Sequence, residues 1–94
     1  MKKMSKTEKV ISALTDCKNY LEYQMDHSDV DETVGYTIVQ IQNYMLCSAQ
    51  MVSPKLFDEV NKEMNSINEM KYFDAHAFKL IELIDTVQTA MLEA

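Results

Sequence analysis

Only one glycine and one proline, Gly35 and Pro54, occur in the 94 residues of this chain. Hairpin turns, bulges and flexible linkers depend on these two residue types, so the chain has little material for an antiparallel sheet. Apolar residues make up 47% of the composition, which argues against disorder. A chain of this length builds one hydrophobic core. We therefore predict a single all-α domain over residues 1–94, with residues 1–5 as a frayed terminus.

The first two helices are predicted from capping signals and from apolar residues at helical spacing. Ser5 and Glu8 form an S-x-x-E capping box, so the first helix should cover residues 6–26. The second helix should cover residues 31–51. The apolar stripes are Val10, Leu14, Cys17, Leu21 and Met25 in the first helix, and Val34, Ile38, Ile41, Met45, Ala49 and Val52 in the second.

The third and fourth helices follow the proline. Ser53 is a typical N-cap and Pro54 suits the first helical position, where its missing N–H has no helical partner to lose. This third helix should reach Met70 or Tyr72, and Asp74 should cap the fourth. The apolar stripes are Leu56, Val60, Met64 and Ile67 in the third helix, and Ala77, Ile81, Ile84, Val87 and Met91 in the fourth, flanked by Leu80 and Leu83.

The predicted connections between these helices contain two to five residues. Short connections make neighbouring helices antiparallel, so the expected architecture is an up-down-up-down four-helix bundle. One junction leaves an alternative open. No glycine or proline lies between Met64 and Ala75, so the third and fourth helices could form one long bent helix. The chain would then be a three-helix protomer that dimerises to cover its apolar faces.

The sequence from Asp29 to Thr33 reads D-x-D-x-T and resembles the nucleophile loop of haloacid-dehalogenase-type phosphatases. That chemistry requires an apolar strand directly before the first aspartate. The residues that precede it here, YQMDHS, are predicted to end the first helix. Carboxylates also stabilise the partly positive start of a helix. We therefore interpret Asp29 and Asp31 as capping residues and predict no catalytic residues.

The sequence also does not indicate a metal site or a reactive pair of cysteines. Acidic residues and His27 are concentrated between Asp26 and Glu32, but they do not align with the EF-hand pattern. Cys17 and Cys47 have no C-x-x-C spacing, and both fall within predicted helices. We expect no metal site, no cofactor and two reduced thiols. The first nine residues lack the apolar segment of a signal peptide, so the expected location is cytoplasmic.

The charge distribution favours protein partners over nucleic acid. The net charge is −6 and the chain has no arginine, although arginine supplies the bidentate contacts that nucleic-acid readers favour. Four of the nine lysines lie within the first nine residues, so the rest of the chain is more acidic still. Direct binding of nucleic acid is therefore not expected.

The second helix is unusual because no charged residue lies between Thr33 and Pro54. Glutamine and asparagine interrupt its apolar residues, which argues against a membrane span. We expect this helix to be covered on more than one side, either as the central helix of the bundle or as a surface shared with another chain. Tyrosines on the first two helices fit an interface, because tyrosine is enriched in interface cores. The predicted partner-binding residues are Tyr20, Tyr23, Asp29, Asp31, Glu32, Tyr36, Val39, Asn43 and Leu46.

These features predict a non-enzymatic protein that binds a protein partner. In composition, the chain is similar to small accessory proteins of phages and mobile elements, which implies an inhibitor that masks a basic surface on its partner. Two alternatives remain: a helical bundle that binds a small ligand or a metal, and a protein similar to bacteriocin-immunity proteins. Homodimerisation is compatible with each of these functions.

Overall fold

The computed structural model describes residues 4–26 and 32–94. Within these ranges the chain forms four helices and no strand, which confirms the all-α prediction. The helices are α1 (Lys6–Asp26), α2 (Glu32–Val52), α3 (Pro54–Asn68) and α4 (Phe73–Glu93). The predicted bounds of α1 are confirmed, and α2, described from Glu32, ends at Val52, one residue beyond the predicted end. The capping roles predicted for Asp29 and Asp31 lie outside the described residues.

The capping box at the start of α1 is present. The backbone N–H of Glu8 donates to Ser5 Oγ at 3.1 Å, and the backbone N–H of Ser5 donates to Glu8 Oε1 at 3.1 Å. Two backbone donors that the helix leaves unpaired are thereby satisfied. The pKa of Glu8 lies below its ordinary value, chiefly because the backbone N–H of Ser5 donates to the carboxylate, and the Ser5 side chain has a smaller effect in the same direction.

The corner between α2 and α3 is a single residue, Ser53, which is shorter than the predicted connection. Its backbone is extended, with φ −167° and ψ 154°, and its side chain accepts a hydrogen bond from the backbone N–H of Leu56 at 3.1 Å. Pro54 occupies the first helical position, as predicted. A proline there cannot supply the N–H that would continue α2, so the chain must change direction.

Helices α3 and α4 are separate, so the alternative with one fused helix is wrong. Helix α3 ends at Asn68, before the predicted end at Met70 or Tyr72. The N–H of Glu69 donates to the carbonyl of Ser66, a short-range bond that tightens and closes the last turn. The prediction that Asp74 caps α4 is also wrong. Tyr72 is the N-cap, without a side-chain hydrogen bond, and Asp74 lies in the first turn.

The core is built from one apolar stripe of each helix. In the described part of the chain, α2 and α4 each contact the three other helices, while α1 and α3 do not contact each other. The Cα positions extend 39 × 34 × 17 Å, so the bundle is flattened. Ile81 is only half-buried, and the predicted flanking residues Leu80 and Leu83 are buried instead. The core residues are Leu14, Leu21, Val34, Ile38, Ile41, Met45, Ala49, Leu56, Val60, Met64, Ile67, Ala77, Leu80, Leu83, Ile84, Val87 and Met91.

Two buried glutamines connect pairs of helices, a feature that the apolar pattern did not predict. Gln88 Nε2 on α4 donates to the carbonyl of Ile11 and to Thr15 Oγ1 on α1, both at 2.9 Å. Gln42 Nε2 on α2 donates to Asn68 Oδ1 on α3 at 2.8 Å. Because an amide buried without a partner is destabilising, these bonds favour one alignment of each helix pair.

None of the described helices has the combination of length and apolar character that crossing a membrane requires.

Candidate interaction surface

Helix α2 has two faces with different chemistry. The inward face buries seven residues, of which Gln42 and Ser48 are polar and satisfied by hydrogen bonds. The opposite side is exposed and is called here the outer face of α2. It consists of Thr33, Tyr36, Val39, Gln40, Asn43, Tyr44, Cys47, Gln50 and Met51.

The outer face of α2 combines exposed apolar side chains with a complete lack of charge. The exposed fraction is 76% for Tyr36, 54% for Val39 and 48% for Met51. No charged residue occurs between Thr33 and Pro54, so this face has neither acid nor base along its length. The sequence left two possibilities for this helix, burial within the bundle or contact with another chain. Burial within the bundle accounts only for the inward face of α2.

A narrower line of residues runs along this face at heptad spacing. Tyr36, Val39, Asn43, Leu46 and Gln50 follow one another at steps of three, four, three and four. We call this line the α2 seam. Leu46 is half-buried and also packs against the core, so the seam borders the core at that point. Spacing of this kind is that of two helices packed side by side.

A shallow cavity of about 350 Å³ borders the same face and is called here the α2 groove. It lies between α2 and the segment that joins α3 to α4. A side-chain carbon added at Gly35 would meet no described atom within 4 Å, so the groove is open at that position. None of the described residues that line it is acidic. Its lining residues are Gly35, Ile38, Val39, Gln42, Asn68, Met70, Lys71, Tyr72, Phe73 and His76.

His76 contributes the titratable imidazole of the groove. Burial disfavours its charged form and lowers its pKa, and an interaction with the backbone of Ile67 opposes this effect. Its Nε2 atom is buried and has no hydrogen-bond partner among the described residues. The imidazole is therefore neutral at pH 7, and Lys71 is the one charged residue that lines the groove.

The predicted partner-binding residues fall into three groups. Tyr36, Val39, Asn43 and Leu46 lie together on the α2 seam, and Glu32 is exposed one turn earlier on the same helix. Tyr23 is exposed on α1, whereas Tyr20 is half-buried and packs against the core. Asp29 and Asp31 lie outside the described residues. The structure therefore brings the α2 members together and places Tyr20 partly in the core.

The groove contains residues that the sequence did not single out for binding, chiefly Gly35, Met70, Tyr72 and His76. Their proximity depends on the turn between α3 and α4, which sequence reasoning could not locate. One signal was available: the chain's only glycine lies in the second helix, where a glycine needs a packing or functional reason.

The two cysteines differ in accessibility. Cys47 is an exposed free thiol on the outer face of α2, and Cys17 is a half-buried free thiol on α1. Burial, with a smaller effect of the Asp16 carboxylate, raises the pKa of Cys17 and keeps it protonated. Among residues 4–26 and 32–94, no three or more of the His, Cys, Asp and Glu side chains are grouped so that they could hold a metal ion.

A second cavity, of about 490 Å³, lies between α3 and α4 and has a different character. Its apolar floor is bordered by charged residues of both signs, so a partner would have to displace water from charges. The charged residues are Glu59, Lys62, Glu63, Lys79 and Glu82. The outer face of α2 is therefore the more favourable surface for an apolar contact.

Comparison of the chain with protein-family models, with curated proteins and with solved structures finds no match.

Proposed function

We propose that this protein is a non-enzymatic interaction protein that binds another protein chain through the outer face of α2. The observation that carries the proposal is the exposure of Tyr36 and Val39 on a helix face that lacks charge, in a chain with a net charge of −6. Exposed large apolar side chains also occur on α1 and α4, at Tyr23, Phe78 and Leu92, but lysines and acids are interspersed with them there.

The energetics of contact favour this face. Burial of apolar surface contributes about 25 cal/mol per Å², and no charged group of the face would lose its hydration. Tyrosine adds a large ring with a hydrogen-bonding tip, which is why it is enriched among residues that dominate binding energy. Tyr36 and Tyr44 both supply such rings.

The acidic remainder of the molecule supports a basic partner. A net charge of −6 attracts a positively charged surface at long range and accelerates the encounter, in a manner that salt weakens. Glu32, at the start of α2, is placed to contact the edge of such a partner. A protein of this type would act as an accessory or inhibitor that masks a basic surface.

The test uses affinity capture from cell extract with the wild-type protein and two charge-matched variants. Val39→Lys places a charge on the outer face of α2. Thr89→Lys is the control, because Thr89 is also β-branched and exposed but lies on α4. We expect Val39→Lys to lower the recovery of a specific partner at least tenfold, about 1.4 kcal/mol, and Thr89→Lys to leave it unchanged.

Two outcomes would contradict the proposal. One is that the wild-type protein recovers no specific partner and is also monomeric in solution. The other is that Val39→Lys and Thr89→Lys recover the same partner equally well, at low and at high salt. Circular dichroism of both variants tests whether each remains helical.

A second candidate function, the binding of a small ligand, is favoured by the α2 groove. The groove combines apolar lining with the neutral imidazole of His76, and such a mixture is typical of ligand pockets. A ligand that binds only the folded state raises the melting temperature. A screen of metabolites, nucleotides and metal ions that leaves the melting temperature unchanged would remove this candidate.

A further inference from the structure

We propose that the chain covering the outer face of α2 is a second copy of this protein, held in a two-fold symmetric dimer. The inference rests on the proposed function for the surface alone, the outer face of α2, and assigns that surface to a second acidic copy instead of a basic partner. Four observations support it: the total surface area, the charge distribution, the spacing of the α2 seam and the position of the α2 groove.

The surface of the single chain is larger than its mass requires. The chain exposes 6502 Å². A compact monomer of 10.9 kDa exposes about 5,600 Å² by the scaling of folded-protein surface with mass. The excess of about 900 Å² is close to the roughly 800 Å² that each partner buries in a standard interface. The smallest Cα extent is 17 Å, and a flattened molecule exposes more surface than a spherical one of the same mass.

The charge distribution favours a second copy at this particular face. Two chains of charge −6 repel one another, and acids placed opposite each other across an interface would add to the repulsion. The outer face of α2 has no charge, and the described residues that line the α2 groove include no acid and one lysine, Lys71. Two copies can therefore bring these described residues together without placing like charges in contact. Glu32 of each copy can also approach Lys71 of the other.

The α2 seam has the spacing that a helix pair requires. Tyr36, Val39 and Leu46 occupy positions at which two helices interdigitate, and Asn43 lies among them. Gln50 is a second amide residue, at the end of the seam. A polar residue within such a seam lowers stability but fixes the register, because asparagine finds its hydrogen-bond partner in only one alignment. The polar interruption is thus compatible with a specific dimer of moderate affinity.

A projecting side chain and a cavity lie beside one another on the same face. Tyr36 projects into solvent, and the adjacent residue, Gly35, lines the α2 groove. In a symmetric dimer, each copy offers the same patch to the other, so any projection must meet a complementary cavity on an identical surface. The Tyr36 ring of each copy can enter the α2 groove of the other, beside Gly35.

The experiment is sedimentation equilibrium of the purified chain over a concentration series. We expect the wild-type mass to rise from monomer to dimer and Val39→Lys to raise the dissociation constant at least tenfold. Tyr36→Lys is a second variant with the same expectation, and Thr89→Lys should behave as wild type. Because two acidic chains repel each other, added salt should strengthen this association, whereas it should weaken the binding of a basic partner.

A wild-type chain that stays monomeric up to millimolar concentration would overturn the dimer. So would a dimer that neither Val39→Lys nor Tyr36→Lys weakens. If the chain is monomeric but Val39→Lys abolishes capture of a different protein, the proposed function stands and the second copy is excluded. If the chain is monomeric and capture is unaffected, both are excluded.

Discussion

Two buried glutamines fix the alignment of neighbouring helices, Gln42 between α2 and α3 and Gln88 between α4 and α1. In each case the amide donates to an oxygen on the facing helix. Leucine packing alone tolerates small axial shifts, but a buried amide that loses its partner is destabilised by about 1–3 kcal/mol. At the residue scale, specificity in this bundle therefore depends on a few polar contacts within an apolar core.

The Gln88 contact can be tested by truncation. Gln88→Ala removes two interhelical hydrogen bonds and leaves a cavity at a position only 8% exposed, so we expect it to lower the free energy of unfolding by about 1–3 kcal/mol. The exposed amide of Asn65 provides the control, since Asn65→Ala should change stability by less than about 0.5 kcal/mol. Urea denaturation measures both. Equal effects would show that the Gln88 bonds contribute nothing.

His76 predicts a pH dependence of stability. Its folded pKa is lowered, chiefly by burial, so the unfolded chain binds the proton more readily. The stabilising contribution is complete above the ordinary value of 6.5 and is lost as the pH falls below it. We expect unfolding free energy to decrease in this range, and to decrease less in His76→Gln. The pKa of Glu8 is also lowered, but Glu8 affects stability only at a pH below its ordinary pKa of 4.5, which is separate from the range of His76. Identical pH profiles for wild type and His76→Gln would contradict this role.

The two thiols should react at different rates in dilute solution. Cys47 is exposed, whereas Cys17 is half-buried. The pKa of Cys17 is raised, so a smaller fraction of Cys17 is thiolate near pH 7 than of an ordinary cysteine. We expect iodoacetamide to modify Cys47 first, by a factor that mass spectrometry of the peptides can measure. Faster modification of Cys17 would contradict both its burial and its raised pKa.

At the scale of the helices, the corner at Ser53 depends on one capping hydrogen bond. Ser53→Ala removes the acceptor for the backbone N–H of Leu56, and we expect a loss of about 1 kcal/mol in stability. The matched control is Ser12→Ala, because Ser12 is exposed within α1 and alanine is favourable there. If both serines respond alike, the cap at the α2–α3 corner has no energetic role.

The sequence predicted the helices well where local signals were strong. The capping box at Ser5 and the Ser53–Pro54 pair located two helix starts, and helical spacing identified most of the core. The turn between α3 and α4 was predicted too late, because Glu69 to Tyr72 contains neither glycine nor proline. Tertiary packing ends α3 there: the chain must reverse so that the apolar stripe of α4 can cover those of α1 and α3.

The candidate surface could be predicted only in part. The uncharged run of α2 pointed to Tyr36, Val39 and Asn43, and these residues do lie together on its outer face. The α2 groove could not be predicted, because it joins Gly35 to His76 through a turn that no local signal marked. The spacing of residues along one helix can be predicted from the sequence. Contacts between segments that are distant in the sequence are known only once the fold is known.

At the scale of the whole molecule, the flattened bundle exposes the uncharged outer face of α2, while the other described helices carry charges of both signs with an excess of acids. This arrangement separates two kinds of contact. Short-range apolar contact belongs to the outer face of α2, and long-range attraction to basic partners belongs to the other faces. A dimer through α2 would bury the apolar side chains and leave the acids of α1, α3 and α4 directed at solvent.

The most direct measurement of the central claim is the rate at which Cys47 is alkylated as protein concentration rises. Cys47 lies on the outer face of α2, so any chain that covers this face slows the reaction. The wild-type rate should fall as the concentration increases from about 1 µM to about 1 mM, a range that spans moderate affinities, while the Val39→Lys rate should fall only at concentrations at least tenfold higher. A wild-type rate that does not change over this range would contradict coverage of α2 by a second copy.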